Sequence, residues 1–529
     1  MTAGDPVRIA LSISNGASLG AYEAGATAGL VVALQRLNER DSRDGRPASV
    51  CVDAVGGTSA GAMVGLLAAR CLLAGLDPLP VLHAAWVRNA GLRRLARGRS
   101  DAPLSMATAH SDTIELLEPR DRRGHPVHRV PDAARQRRPV EYTVGLGNLQ
   151  GLTSLIERAG DGPAHSGLTH TDGAAFTLGP DDDRDRYLQP RRGSPLDAAI
   201  ASMSHPALFD PRLLDRRPDE QSYRRSGVAD FPESGHFWYA DGGALVRRPL
   251  GATLGAARRA DQEAWGVPPG TAAAEGEPRR LHVLVHPHTA PPGDDGRWTD
   301  PDRRPSWAAT LVRMVTALSV ESLYADLRGI EDVNARLRRL DELAGTLAAH
   351  LGAGAEEALR RALGDEAPGD TADVLRRALR EAGNVAGRVP VATEVISPLR
   401  LLQQPSGDAR PPAGQEQVPD LLAGEFLVRF GGFGGRAFRH SDFVLGWRSL
   451  QVWLPGALRG AGLREPAVAA AVEAVEERDV RYRDPGRRGQ ATLADVPLRT
   501  RLRMAGLMAH ATRSLLSDVL RPGPRVPRP

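Results

Sequence analysis

The sequence contains no lysine, so all 68 of its basic side chains are arginines. Its 64 acidic side chains nearly balance them, and the formal net charge is +4 over 529 residues. Proteins that bind nucleic acids concentrate positive charge on one face to neutralise phosphates. A net charge this small for the length predicts no nucleic-acid partner.

Cysteine is also scarce, and no segment is typical of export or of a membrane span. The two cysteines, Cys51 and Cys71, lie in apolar runs, which excludes a disulfide framework and indicates a reducing compartment. Residues 1–16 lack a signal-peptide pattern, and the longest apolar stretch, Ala62–Leu76, is interrupted by Arg70 and is too short to cross a bilayer. We therefore expect a cytoplasmic protein without a transmembrane segment, whose membrane contact is at most peripheral.

The sequence does contain a run of small residues between an apolar strand and a helix. Residues 50–55 are mostly apolar and predict a buried strand, and residues 62–67 favour a helix. Between them, Gly57, Ser59 and Gly61 complete the pattern G-x-S-x-G. This pattern is typical of a nucleophile elbow, a strained turn that exposes a serine at a helix N-terminus. Ser59 is therefore the candidate nucleophile; the alternative is a glycine-rich loop with an incidental serine.

A second loop of small residues lies closer to the N-terminus. It connects a strand predicted at residues 7–13 to a helix predicted at residues 21–37. The N–H groups of such a loop can hold a phosphate, but the spacings of the known phosphate-binding loops are absent. Beside a candidate nucleophile, the better interpretation is an oxyanion hole. The N–H groups of Gly16 and Ala17 would form it, together with that of Ala60, which follows the serine.

Three motifs in order resemble the patatin-like phospholipase family. They are SNGASLGAYEAGA, GGTSAGAM and YADGGALVRRP, which begin at residues 14, 56 and 239. The resemblance implies a dyad in which Asp241 is the base for Ser59, with Gly242 and Gly243 completing the D-G-G motif. It also implies a covalent acyl-enzyme intermediate and no metal or organic cofactor. The implied substrate is a phospholipid, a lysophospholipid or another lipid ester.

A dyad of this kind implies a particular geometry. The Asp241 carboxylate should lie within hydrogen-bond reach of the Ser59 hydroxyl. We expect the strand that ends at Gly56 and the strand that ends at Asp241 to be neighbours in one sheet. No histidine should approach Ser59 as closely as Asp241 does, although His205 and His236 lie nearest in the sequence to the D-G-G motif.

Two departures from the family pattern favour an alternative function. Residues 17–19 (Ala-Ser-Leu) occupy the stretch where the family commonly has a third glycine and an arginine or lysine. Arg247 stands six residues after Asp241, where the family usually has an asparagine. We expect the Arg247 side chain to lie clear of Asp241, because a firm ion pair would make the carboxylate a poorer base. The alternative is a patatin-like binding or regulatory module with weak turnover.

A group of histidines and a group of aromatic residues each allow two interpretations. His282, His286 and His288 share one face of a strand predicted at residues 280–288, but no cysteine or carboxylate joins them, so we predict no metal site. Seven aromatic residues fall within residues 421–454. They predict a core that joins this segment to the catalytic domain, or alternatively an apolar lip for acyl chains.

The overall prediction is an α/β fold, a three-layer α/β/α sheet of the patatin type with a nucleophile elbow, followed by a largely helical C-terminal half. Residues 1–288 form the predicted catalytic domain, and residues 289–305, rich in proline, glycine and aspartate, form a linker. Residues 306–390 form a helical region, and residues 391–529 are predicted to pack on the catalytic domain. A basic amphipathic helix near the C-terminus, residues 495–520, is expected to dock on the protein or, alternatively, to lie on an anionic membrane.

Overall fold

The structure is a computed structural model that covers most of the chain. The residues it describes are 6–97, 102–156, 165–189, 193–206, 208–244, 249–266, 280–287, 302, 306–351, 355–363, 369–386, 388–402, 418–427, 429–478 and 489–520. The predicted linker, residues 289–305, lies outside the described residues apart from Asp302.

One mixed sheet forms the centre of the fold. Its strands, within the described residues, are β1 Val7–Ile13, β2 Val50–Thr58, β3 Val140–Ile156, β4 His165–Leu178, β5 Arg212–Asp215, β6 His236–Asp241, β7 Arg280–Val285 and β8 Thr393–Ile396. They follow the order β5-β6-β3-β2-β1-β7-β8, and β4 pairs with β3 outside this path. Strands β3, β2, β1, β7 and β8 are parallel, whereas β6 runs antiparallel to β3.

Helices surround the sheet and account for most of the C-terminal half. The described helices are α1 Gly20–Arg43, α2 Ala60–Ala74, α3 Pro78–His83, α4 Leu92–Leu95, α5 Ala107–Leu117, α6 Pro195–Ser202, α7 Glu220–Arg225, α8 Pro249–Ala264, α9 Trp307–His350, α10 Ala355–Leu363, α11 Thr371–Ala382, α12 Leu399–Leu402, α13 Val418–Leu421, α14 Arg436–Gly460, α15 Glu465–Glu476 and α16 Leu498–Leu520. The predicted α/β class with a helical C-terminal half is confirmed.

The alternation of side chains along β2 explains why helices cover both faces of the sheet. Val55 points towards α2, where a Cβ added to Gly65 would lie 2.8 Å from its side chain. The next residue, Gly56, faces Thr253 of α8 on the opposite side. Successive residues of a strand point to opposite faces, so a strand buried on both faces has to be apolar or small throughout. Every residue of β2 is buried, as this arrangement requires.

Strand β3 is the longest strand of the sheet among the described residues. It pairs with β4 along a long antiparallel hairpin. Residues 147–151 (Gly-Asn-Leu-Gln-Gly) interrupt the apolar alternation, and the ladder shifts register between Gly147 and Leu152. Gly151 adopts a positive φ of 82° at this irregularity, a conformation that glycine tolerates best.

Helix α1 is the central helix of the core. The segment Ala17–Arg43 is, in the part of the chain described, the one helix long and apolar enough to cross a membrane by length and composition. The prediction of no transmembrane segment rested on Ala62–Leu76 alone. However, 94% of its most apolar window is buried inside the protein, where α1 contacts α2, α3, α14 and α15. Core helices of globular proteins pass the same test of length and composition.

Candidate active site

Ser59 lies on a strained turn between β2 and α2. Its φ of 52° falls in the left-handed region, which residues with a side chain rarely adopt. A Cβ on Gly57 would lie 2.5 Å from the Gly61 backbone, and a Cβ on Gly61 would clash with the carbonyl oxygens of Ile13 and Ser14. Both motif glycines are therefore required sterically, because the turn brings β1, β2 and α2 into backbone contact.

Asp241 lies at the end of β6, next to Ser59. The Ser59 hydroxyl donates a hydrogen bond of 2.8 Å to the Asp241 Oδ2 atom, and the Gly243 N–H donates one of 2.7 Å to Oδ1. Gly242 packs so closely on β3 that a Cβ there would clash with the Gly145 carbonyl oxygen. The D-G-G glycines thus let the chain turn tightly after Asp241 and hold its carboxylate.

The two strands that deliver this pair are not neighbours, so that prediction is wrong. Strand β3 lies between β2 and β6. In register, Thr58 pairs with Gly145 of β3, and Asp241 pairs with Leu146. The pair meets because both strands end at the same level of β3, where Gly145 has no side chain to separate them.

Burial changes the acidity of Asp241. Desolvation raises the pKa of this carboxyl to about 6, although the hydrogen bonds from Gly243 and Ser59 act in the opposite direction. The carboxylate is therefore ionised at neutral pH and close to the pH at which a general base is most useful. Since its pKa is higher in the folded than in the unfolded chain, ionisation of Asp241 destabilises the fold. The contribution of Asp241 to stability is complete below about pH 4 and is lost as the pH rises through about 6.

We expect Asp241→Asn to stabilise the protein at pH 8. The amide oxygen can still accept from the Gly243 N–H, and the amide nitrogen can donate to the Ser59 oxygen, so no buried charge is left. The free energy of unfolding should therefore rise by about 2 to 3 kcal/mol at pH 8 and change little near pH 4. Urea denaturation at the two pH values measures this difference. The control is Asp185→Asn, an exposed carboxylate beside Arg184, which should alter stability little. A less stable Asp241→Asn variant at pH 8 would show that the buried charge is fully compensated.

The predicted oxyanion loop contacts the elbow. Ala17 has a positive φ of 47°, a conformation that glycine adopts more readily than a residue with a side chain. Within the described part of the chain, the N–H groups of Gly16, Ala17 and Ala60 donate to no protein acceptor. Asn15 Nδ2 donates to the Gly243 carbonyl, which joins the loop to the D-G-G turn. The segments that carry the three predicted donors therefore lie together. Their N–H groups have no acceptor among the described residues.

A buried polar group beneath this loop was not anticipated. The Ser14 hydroxyl donates to Glu23 Oε1 at 2.8 Å and lies 2.8 Å from Nδ1 of His286. Complete burial raises the pKa of Glu23 well above its usual range, despite the Ser14 hydrogen bond and the nearby Arg429. From the sequence, Glu23 reads as an ordinary acidic residue in the first turn of a helix. Its burial depends on residues distant in the sequence, among them Arg429.

Helix α6 anchors both members of the pair. The Ser59 N–H donates to Ser202 Oγ at 2.8 Å, and that hydroxyl donates in turn to the Gly145 carbonyl. The Asp241 N–H donates to the Ser204 carbonyl at 2.9 Å. The small residues of α6 permit close packing, but the sequence does not indicate which hydroxyl supports the elbow.

No imidazole takes part in the described hydrogen bonds of Ser59, whose partners are Asp241, Ser202 and Ala62. His236 is exposed and binds the Ser234 carbonyl. His205 packs edge-on against the ring of Phe430, with centroids 5.2 Å apart.

Part of the C-terminal half lies directly on the oxyanion loop. Ser18 donates through both its N–H, at 3.0 Å, and its hydroxyl, at 2.5 Å, to the Arg429 carbonyl. The Gly432 N–H donates back to the Ser18 hydroxyl at 3.0 Å. Of the aromatic segment, Phe443 and Trp453 are buried in the main core, whereas Phe430 is half-buried beside His205. The segment therefore contributes mainly to the core, and its start borders the site.

Two sequence-based predictions fall on parts of the chain that are not described. Arg247 and His288 lie outside the described residues. Of the other two histidines, His286 contacts Ser14, and burial lowers the pKa of His282 to about 4. Among the described residues, no group of three or more histidine, cysteine, aspartate or glutamate side chains is arranged to hold a metal ion.

The fold and this geometry define an α/β protein in which the serine of a nucleophile elbow is hydrogen-bonded to a buried aspartate. Residues 11–254 match the family model of the patatin-like phospholipases, so this part of the chain is a patatin-like domain. The family is one of lipid acyl hydrolases. A comparison with curated proteins finds no match. Among solved structures, VipD from Legionella pneumophila is similar over 93% of each chain, with 11% sequence identity and a TM-score of 0.20.

Proposed function

We propose that the chain is a serine lipid acyl hydrolase of the phospholipase A or lysophospholipase type, which works through a Ser59–Asp241 dyad. The observation that supports this most directly is the 2.8 Å hydrogen bond from the Ser59 hydroxyl to a fully buried carboxylate. The strained φ of Ser59 adds support, because strain of this kind is retained where function requires it.

In the proposed mechanism, Asp241 accepts the Ser59 proton as the serine oxygen attacks the ester carbonyl. The carbonyl oxygen becomes an oxyanion, which the free N–H groups of Gly16, Ala17 and Ala60 stabilise. Asp241 then gives the proton to the leaving alcohol, and the acyl group stays on Ser59. Water, deprotonated by Asp241, attacks the acyl-enzyme and releases the fatty acid.

Asp241 can act as the base for Ser59, and backbone N–H groups can stabilise the oxyanion, so we propose that the reaction needs no cofactor. The substrates we propose are phospholipids and lysophospholipids, met by a cytoplasmic enzyme at a membrane surface. Substrates of this kind present their ester bonds at the boundary between headgroups and acyl chains. An enzyme that reaches them needs only peripheral contact.

The experiment that tests this function measures fatty-acid release against pH. With phospholipid, lysophospholipid and a water-soluble short-chain ester, we expect kcat/KM to rise with pH, reach half its maximum near pH 6 and then level off. The reason is that the base is active only when ionised, and burial raises the pKa of Asp241 to about 6. A rate that increased steadily through pH 9 would contradict Asp241 as the base.

A further inference from the structure

The outward face of α16 exposes leucines beside arginines. Leu498 and Leu502 are 62% and 64% exposed, among the most exposed large apolar side chains in the described chain. Arg499 and Arg503 are exposed next to them. Residues four apart lie on the same side of a helix, so the two leucines and two arginines form one continuous surface. We call these four residues the outer face of α16.

The charge of this helix has a single sign over its first four turns. Between residues 498 and 513 it carries four arginines and neither aspartate nor glutamate. The nearest acidic residue before it, Asp495, accepts hydrogen bonds from Thr492 in a capping box. A solvated helix usually alternates charges of both signs, whereas a basic face with exposed leucines suits an anionic surface over an apolar layer.

The inner face of α16 places the helix beside the candidate active site. Met504 and Leu507 pack, together with Phe433, on a buried cluster that consists of Leu92, Leu95, Leu104 and Phe209. Phe433 contacts the ring of Phe430, with centroids 6.0 Å apart, and Phe430 contacts His205. His205 follows Ser204, whose carbonyl accepts the Asp241 N–H. A continuous series of packed side chains therefore connects α16 to the residue that holds the Asp241 backbone.

We propose that the outer face of α16 docks the protein on an anionic phospholipid bilayer. This inference rests on the proposed function, since docking there would bring lipid esters to the end of the sheet that carries Ser59. The leucines would enter the boundary between headgroups and acyl chains, and the arginines would bind lipid phosphates. Neutral bilayers should bind weakly, because two leucines alone bury little apolar surface.

The test uses the full chain with Ser59→Ala, so that binding is measured without hydrolysis. Co-sedimentation is compared on vesicles of phosphatidylcholine and on vesicles that also contain phosphatidylglycerol. We expect binding mainly to the anionic vesicles. Arg499→Glu with Arg503→Glu should weaken it at least about thirtyfold, since each arginine near an anionic surface contributes a factor of about five. Leu498→Ser with Leu502→Ser should also weaken it.

Matched controls come from α9. Arg338→Glu with Arg339→Glu changes the net charge equally at exposed positions. Leu343→Ser with Leu347→Ser removes leucines that are also exposed there. Both pairs should bind the anionic vesicles as the unmodified chain does. Equal loss in the α9 and α16 variants, or equal binding to neutral and anionic vesicles, would overturn the proposal.

Hydrolysis of a water-soluble short-chain ester separates this inference from the function on which it rests. The α16 variants, made with Ser59 intact, should hydrolyse that ester at the normal rate but lose turnover of phosphatidylglycerol vesicles. Normal turnover of both substrates would reject the docking surface and leave the hydrolase intact. No hydrolysis of either substrate by any form, with selective loss of vesicle binding in the α16 variants, would reject the hydrolase and keep the docking surface.

Discussion

Replacing Ser59 by alanine is expected to lower the hydrolysis of lipid esters by about 10,000-fold or more, as loss of a catalytic nucleophile generally does. The substitution removes the oxygen that attacks the ester and leaves Asp241 with no proton to accept. The neighbouring backbone should not change, because the turn is set by Gly57 and Gly61 rather than by the hydroxyl. Fatty-acid release from phospholipid and from a short-chain ester measures the loss.

The matched control is Ser204→Ala. Ser204 is also buried and adjacent to Asp241, but its hydroxyl donates to the Ile200 carbonyl within α6. The Asp241 N–H binds the Ser204 backbone, which the substitution retains. Turnover should therefore fall only a few-fold. Equal rates for Ser59→Ala and the unmodified protein would reject the serine mechanism. Inactivity of the unmodified protein on all lipid esters tested would favour the binding or regulatory module instead.

The local part of the site was predictable from the sequence because its constraints are local. Gly57 and Gly61 are needed by a turn of five residues, and the strand and helix on either side show their own patterns. The family resemblance added Asp241, which is 182 positions away and has no local signal of its own. The positive φ of Ala17 could not be predicted from the sequence. The sequence showed only that residues 17–19 depart from the family pattern.

The tertiary part was not predictable in the same way. That β3 separates β2 from β6 depends on pairing between strands more than 80 residues apart, which periodicity does not encode. The pKa of Glu23 responds to Arg429, more than 400 residues later in the chain. The same holds for Ser18, whose hydroxyl finds its acceptor at Arg429. Residues of this kind look ordinary in their own segment, and their role follows from what packs on them.

The C-terminal half is expected to be needed for folding of the catalytic domain. Removal of residues 306–529 should therefore yield insoluble or unfolded protein. The deletion removes β8, which pairs with β7 at the edge of the sheet, and α14, which covers α1. Trp447, Leu450 and Trp453 belong to the main core, so their loss would expose the apolar face of α1. Expression of residues 1–305, followed by circular dichroism and the short-chain ester assay, tests this. A soluble and active product would show an independent catalytic domain.

A pair of point variants tests the same interface in the full chain. A Cβ on Gly446 of α14 would clash with the Tyr22 carbonyl oxygen of α1, and backbone cannot swing aside as a side chain can. Gly446→Ala should therefore force the two helices apart and destabilise the protein by about 2 to 3 kcal/mol. Gly456, in the same helix, has open space around its Cβ position. Gly456→Ala should instead stabilise by about 0.5 to 1 kcal/mol, because alanine favours helix. Thermal melting of both variants decides the matter: if Gly446→Ala melts as high as Gly456→Ala, α14 does not hold α1 in place.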